Sequence, residues 1–165
     1  DKLKNVFLLG VSLLFYTWRE PVYIVLILFS ILANYLIGLG IDSCKRRKIW
    51  LIFGILFNLS ILGYFKYFTF AVSVIGRLSG AEIAVGNIVL PVGISFFSFK
   101  TISYLIDVYK GEIKAEKNIF NVALYISFFP QLLAGPITKY RDVGLQIRGR
   151  KETPEKMAEG IRRFS

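Results

Sequence analysis

LPVGISFFSFKTISYLIDVYKG, residues 90–111, and NVALYISFFPQLLAGPITKYR, residues 121–141, decide the fold. Both stretches are long and apolar, yet both hold polar groups, Gly or Pro at depths where lipid penalises them. A segment that only had to cross a membrane would need none of Lys100, Asp107, Gln131 or the break from Ala134 to Pro136. An unpaired ionisable group at the centre of a span costs about 2.5–3.5 kcal/mol on insertion scales, so it defaults to a functional reading. On a helix, Lys100, Ser103, Tyr104 and Asp107 fall within about a third of the circle. Gly93 lies on the same face two turns earlier, and Phe99, Ile102 and Leu105 lie opposite. Lys100 and Asp107 are two turns apart, roughly 10 Å along the axis, so each needs a partner on another helix or in water. The stripe reads equally as a structural polar network between helices or as the lining of a substrate tunnel. In the second reading Lys100, Tyr104, Asp107 and Gln131 are the candidate substrate-binding residues. Asn121 and Tyr125 form an i, i+4 pair with the same ambiguity.

Around this block the chain divides into five apolar runs, at 5–18, 21–41, 49–65, 88–109 and 118–136. A crossing helix needs roughly 20 residues, so the first run is short and the others suffice. Pro21 is tolerated in a first helical turn. Tyr67 to Gly76 is too short to cross; it lies at the interface or extends the third helix. Trp18, Tyr23, Trp50, Tyr64 and Tyr67 stand at run ends, where interfacial aromatics belong. Hydrophobic residues make up 55% of the chain and charged ones only 19%, the latter clustered between the runs. That is the composition of a polytopic membrane protein, not of a soluble domain. The expected fold is all-α: a membrane helical bundle forming a single membrane domain over 1–165, multi-pass in the plasma or inner membrane.

The net charge is +10. Its basic residues sit at the ends of apolar runs, where headgroups and the positive-inside rule account for them, so the lipid bilayer is the expected partner and nucleic acid is not. Cys44 is the one cysteine, which excludes an internal disulfide and a cysteine metal cluster. It adjoins Lys45, Arg46, Arg47 and Lys48, and reads as an inert thiol facing a reducing compartment, with palmitoylation the alternative in a eukaryote. The same four residues place the second loop inside. Lys2 and Lys4 then fall inside, Arg19 and Glu20 outside, and Lys110, Lys114 and Lys117 inside. A fifth run that crossed would put a basic tail outside, against the rule. A re-entrant or broken path at Pro130 and Gly135–Pro136 removes the conflict, and such backbone is tolerated only beside protein or a water-filled cavity. A plain Pro-kinked crossing is the alternative.

Further on, Thr153–Pro154–Glu155 is a helix start with a hydroxyl cap, Pro at the first position and an acid near the positive dipole end. Met157, Ile161 and Phe164 then form one apolar face, predicting an amphipathic helix over 154–165, on the membrane surface or docked on the bundle. The chain begins at Asp1, has no signal-peptide layout and ends within a helical pattern, so it reads as a fragment. It contains no histidine. No histidine base, Ser-His-Asp relay or HExxH zinc site is complete within it, and no GxxxxGK[ST] phosphate loop is present. Catalytic, cofactor-binding and metal-ligating residues are therefore expected to number none in this stretch.

LPVGISFFSFKTISYLIDVYKGE, followed by NVALYISFFPQLLAGPITKYRD and EGIRRFS, resembles the membrane-bound O-acyltransferase family, in the bacterial branch of the alginate O-acetyltransferase membrane subunit. LLGVSLLFYTWREPVYIVLILFSILANYLIGLGI resembles the second and third membrane segments of that branch, and proteins for teichoic-acid D-alanylation and peptidoglycan O-acetylation belong to the same family. The resemblance implies an acyltransferase that moves an acyl group, usually acetyl, from a cytoplasmic thioester donor, with acetyl-coenzyme A as substrate, to a cell-envelope polysaccharide outside. It also implies a catalytic histidine in a later membrane segment, which no position here matches, so this stretch alone is expected to be inactive. An extracytoplasmic acyltransferase or polysaccharide-modification protein is a further partner it allows. A basic inner rim suits an anionic donor, and a water-excluding tunnel suits a thioester prone to hydrolysis. The competing class is a transporter or flippase for a lipid-linked or polysaccharide intermediate, since broken helices and midplane charges mark those too. A structural scaffold subunit is the third.

Overall fold

A computed structural model describes residues 2–19, 21–79, 91, 93–128 and 138–148. These fold into helices only: α1 (Lys2–Arg19), α2 (Ile24–Ser43), α3 (Arg47–Ser79), α4 (Ile94–Lys110), α5 (Ile119–Ser127) and α6 (Tyr140–Arg148). No strand occurs among the described residues, in keeping with the all-α expectation.

Two helical stretches, Ile24–Ser43 and Arg47–Phe68, are long and apolar enough to cross a membrane. At 1.5 Å per residue, α2 spans about 30 Å, the thickness of a bilayer's hydrocarbon core. α3 is longer still, about 50 Å. The segment from Tyr67 to Gly76, for which two placements were open, continues α3 without a break. Much of α1 and α3 presents large apolar side chains outward, including Phe7, Leu14, Trp18, Ile52, Phe53, Leu56 and Leu59. In lipid this is no liability, because tails are as apolar as these side chains. Helix association then depends on close packing and buried polar bonds.

Both devices are present between α2, α3 and α4. Asn34 and Asn58 exchange amide hydrogen bonds across α2 and α3: Asn58 Nδ2 donates to Asn34 Oδ1 at 2.7 Å, and Asn34 Nδ2 donates to Asn58 Oδ1 at 3.2 Å. Each amide also donates to the carbonyl four residues back, Ser30 and Gly54, at 2.8 Å, so both sides of this fully buried pair are used. Gly54 supplies the close approach. A Cβ there would stand 2.5 Å from Leu105 Cδ1 and 2.9 Å from Ile37 Cγ2. α5 packs between α1 and α2.

The helices depart from the expected runs at three further points. Of the run at 88–109, residues 88–90 and 92 lie outside the described residues, and α4 begins at Ile94, after Gly93 at φ 78°. It closes with Gly111 at φ 75° donating to the carbonyls of Asp107 and Val108, and Glu112 donating to Asp107, the hydrogen-bond pattern of a Schellman end. The run at 118–136 does not hold one continuous helix. Asn118 caps it by accepting from the Phe120 N–H at 3.0 Å, but α5 ends at Ser127, and Phe128 leaves helical geometry at ψ 108°. Pro130 has no N–H to donate to Ile126, and it disfavours a helical residue before it, so the helix stops ahead of it. Residues 129–137, with Gln131 and the Gly135–Pro136 break, lie outside the described residues, as do 149–165 and with them the amphipathic helix expected at 154–165. The third difference is α6, a helix at Tyr140–Arg148 that the reading of the tail as a basic segment did not anticipate.

Candidate functional site

α4, α5, α6 and the connector at 111–118 enclose a cluster of polar groups. Lys100, in the second turn of α4, is only 1% exposed. Its Nζ donates to the backbone carbonyl of Tyr125 at 2.9 Å and lies 4.9 Å from the centre of that tyrosine's ring. The last four carbonyls of a helix lack intrahelical partners and carry its negative dipole end. Because α5 stops at Ser127, the Tyr125 carbonyl is one of them. The ammonium therefore caps the broken helix from a neighbouring element, and the ring face adds a cation–π contact. The cross-helix partner that the sequence demanded for Lys100 is thus a helix end.

Tyr104, Tyr125 and Tyr140 stack with their rings 5.0–6.5 Å apart, the Tyr125–Tyr140 pair edge to face at 88°. All three are buried, and Gly38 of α2 leaves room for the Tyr104 ring, whose Cε1 would stand 3.1 Å from a Cβ there. Their hydroxyls fasten three separate segments. The Tyr104 hydroxyl accepts from the Glu116 N–H at 3.0 Å, and the Tyr140 hydroxyl donates to Glu116 Oε2 at 2.6 Å. Glu116 Oε1 accepts from the Asn118 N–H at 3.2 Å. The Tyr125 hydroxyl donates to the Thr138 carbonyl at 2.9 Å. Glu116, 6% exposed, is a buried carboxylate holding connector, α4 and α6 together.

Asp107, 3% exposed, is the second charge of the predicted stripe. Lys100 does not pair with it. Its Oδ2 has no hydrogen-bond partner among the described residues, nor has the buried hydroxyl of Ser98 on the same helix. Such orphaned acceptors are uncommon, because each forfeits its bond to water. Asp107 lies in the field of Lys110, Lys139 and Arg141, opposed by Glu112. Chemically, the arrangement offers a buried cation at a helix end and a buried carboxylate oxygen open to a donor.

The structure thus gathers Lys100, Tyr104 and Asp107 on the packed face of α4, while Gln131 lies outside the described residues. Asn121 is half-buried and makes no side-chain bond to Tyr125 among the described residues. Sequence reasoning missed Glu116 and Tyr140. The signal available for Tyr140 was its helical spacing with Val143 and Ile147; Glu116, in a charged connector, gave none.

No family model matches the chain, and no solved structure does. Curated proteins do. The probable alginate O-acetylase AlgI of Azotobacter vinelandii is 38% identical over 171 residues, covering 99% of this chain and 34% of that protein. The probable alginate O-acetylase AlgI of Pseudomonas aeruginosa is 37% identical over 172 residues, with 99% of this chain and 33% of the relative covered. The peptidoglycan O-acetyltransferase of Helicobacter pylori is 30% identical over 171 residues, with 87% and 32% covered. The chain therefore spans about a third of the length of the curated relatives it matches. With these relatives and its apolar helices, it is a membrane protein. Homologous to these O-acetylases along nearly its whole length, the chain bears out its resemblance to the alginate O-acetylase-like branch of the membrane-bound O-acyltransferase family.

Proposed function

We propose that the full-length protein transfers an acyl group, acetyl above all, from a cytoplasmic thioester such as acetyl-coenzyme A to hydroxyl groups of a cell-envelope polysaccharide. The observation that carries this is the 30–38% identity to O-acetylases over nearly all of the chain. In the reaction an acceptor oxygen attacks the acetyl carbonyl, the C–S bond breaks as the ester C–O bond forms, and the acceptor proton passes to a base. The chain holds no histidine, so a histidine base is assigned to the full-length protein outside residues 1–165. The described part contributes architecture. α5 stops within the bundle, its end carries the Lys100 cation, and Asp107 keeps one oxygen open. Lys100, Tyr104, Asp107 and Gln131 are assigned to the wall of the substrate tunnel on this reading. The protein is placed as multi-pass in the plasma membrane, with its basic end cytoplasmic and an extracytoplasmic polysaccharide-modifying protein as a fitting partner.

A radiolabelled acetyl-transfer assay in membranes holding the full-length protein tests the reading. Label should pass from acetyl-coenzyme A to polysaccharide. Lys100→Leu should lower transfer at least tenfold while the protein still inserts. Absence of any acetyl acceptor among envelope polysaccharides would defeat the assignment; lost insertion in Lys100→Leu would make that residue structural only.

A further inference from the structure

The turn between α2 and α3 builds a second feature, separate from the buried cluster. Lys45, Arg46, Arg47 and Lys48, with Ile49 and Tyr109 of α4, line an open cleft of about 650 Å³. Four of its six lining residues are cations and none is an acid. Arg47 is the fixed wall: its Nε donates to the Ile41 carbonyl at 3.0 Å, and its guanidinium lies 3.6 Å from Asp42. Lys45, Arg46 and Lys48 are exposed and form no ion pair among the described residues. This is a concentration of positive charge beside a ring, matched to phosphate oxygens.

What lies below the cleft selects the source of the phosphate. Ile49 heads a stripe down α3, Ile49, Ile52, Phe53 and Leu56, at i, i+3, i+4 and i+7. These side chains are 57%, 47%, 56% and 58% exposed, so the stripe is open along its length. A helix face with this spacing is continuous. The cleft is therefore the upper end of an apolar track. A soluble phosphate compound would use the cations and leave the track bare. A phospholipid uses both, with its phosphate among the cations and an acyl chain along the stripe.

We propose that the α2–α3 turn and the outer face of α3 form a binding site for an anionic phospholipid of the phosphatidylglycerol class. The site requires only that the protein sits in a bilayer; it stands whether or not the acyl-transfer reading does.

The test uses the full-length protein, purified in mild detergent and titrated with lipid under native mass spectrometry. Phosphatidylglycerol should be retained at least tenfold more than phosphatidylcholine, and the preference should shrink as salt rises. The triple variant Lys45→Gln, Arg46→Gln, Lys48→Gln leaves Arg47 in place and should lose about fivefold in retention per charge removed. Ile52→Ala with Phe53→Ala truncates two half-exposed apolar side chains outside the cation cluster and should weaken retention of phosphatidylglycerol without altering that of inorganic pyrophosphate. Equal retention of the two lipids by the unmodified protein overturns the proposal, and that comparison depends on no variant. Displacement of phosphatidylglycerol by pyrophosphate at comparable concentration also overturns it, because the cleft would then be a site for soluble phosphates such as those of a nucleotide donor.

Discussion

Lys100 and Glu116 show how a single ionisable side chain is made tolerable inside a helical bundle. Lys100 ends on a carbonyl that its partner helix leaves unsatisfied, and Glu116 accepts one backbone and one phenolic donor. Removing a donor leaves its acceptor buried and unpaired, which costs more than the net worth of the bond. Tyr140→Phe deletes only a hydroxyl, at the 2.6 Å bond to Glu116. It should lower stability by about 1.5–3 kcal/mol, the range for a hydrogen bond to a charged group. A thermal-unfolding series in detergent reads this, with Tyr35→Phe as the control, since that hydroxyl meets an exposed connector carbonyl at Lys117. An equal loss in both variants would mean that Glu116 is not specially dependent on Tyr140. Lys100 was legible in the sequence, because a period of 3.6 sets it on one face with Tyr104 and Asp107. Glu116 was not. It reads as one more charge in KGEIKAEKN, and the tyrosines that bury it stand 12 and 24 residues away along the chain.

Between helices the design alternates a missing side chain with a paired one. Gly54 lets α3 meet Leu105 of α4 and Ile37 of α2, while one turn later Asn58 bonds to Asn34. Gly54→Ala should destabilise the α3–α4 contact by about 1–3 kcal/mol through overpacking, and adding Leu105→Ala, which vacates the 2.5 Å position, should recover part of it. No recovery in the double variant would place the strain against Ile37 instead. For the asparagines the cycle has the opposite shape. Asn58→Leu leaves Asn34 short of an acceptor and should cost about 1–2 kcal/mol, whereas Asn34→Leu with Asn58→Leu should be nearly neutral, since two apolar partners replace two polar ones. Unfolding in mixed micelles measures both. The existence of α2 was plainest, because an uncharged stretch of about 20 residues has few alternatives in a bilayer; α1 and α3 rested on shorter apolar runs and α4 on one that carries Lys100 and Asp107. The ends were less plain. α5 stops where Pro130 withdraws a donor, three residues ahead of the proline itself. α6 is short, and its apolar spacing at Tyr140, Val143 and Ile147 is hidden by Lys139, Arg141 and Asp142.

Among the described residues, several basic side chains gather at one end of the bundle. Asn5 Nδ2 donates to the Ile147 carbonyl at 2.7 Å, which joins the start of α1 to the end of α6. Arg141 meets Glu112 at 3.3 Å, which joins α6 to the connector after α4. Thr138 accepts from Tyr125, so the chain that leaves α5 at Phe128 is back beside α5 by residue 138. With nine residues, α5 itself covers only about 13 Å, less than half a hydrocarbon core. The start of α1, the α2–α3 turn, the end of α4 and α6 therefore share an end, and Lys4, Lys45, Lys110, Lys139 and Arg141 collect there. The α1–α2 turn lies at the other. The described residues on either side of 129–137 thus lie near one another, which is the placement that the positive-inside rule asks of a basic segment there. Cysteine accessibility reads it directly. In a Cys44→Ser background of the full-length protein, Val22→Cys, Arg46→Cys and Lys139→Cys each replace an exposed residue. An impermeant thiol reagent added to intact cells should label Val22→Cys alone. Labelling of the other two should require a permeant reagent or opened cells, and they should behave alike. If Lys139→Cys labels with Val22→Cys from outside, the chain crosses the membrane between Tyr125 and Lys139, and the helix end that Lys100 caps is not where the path turns back.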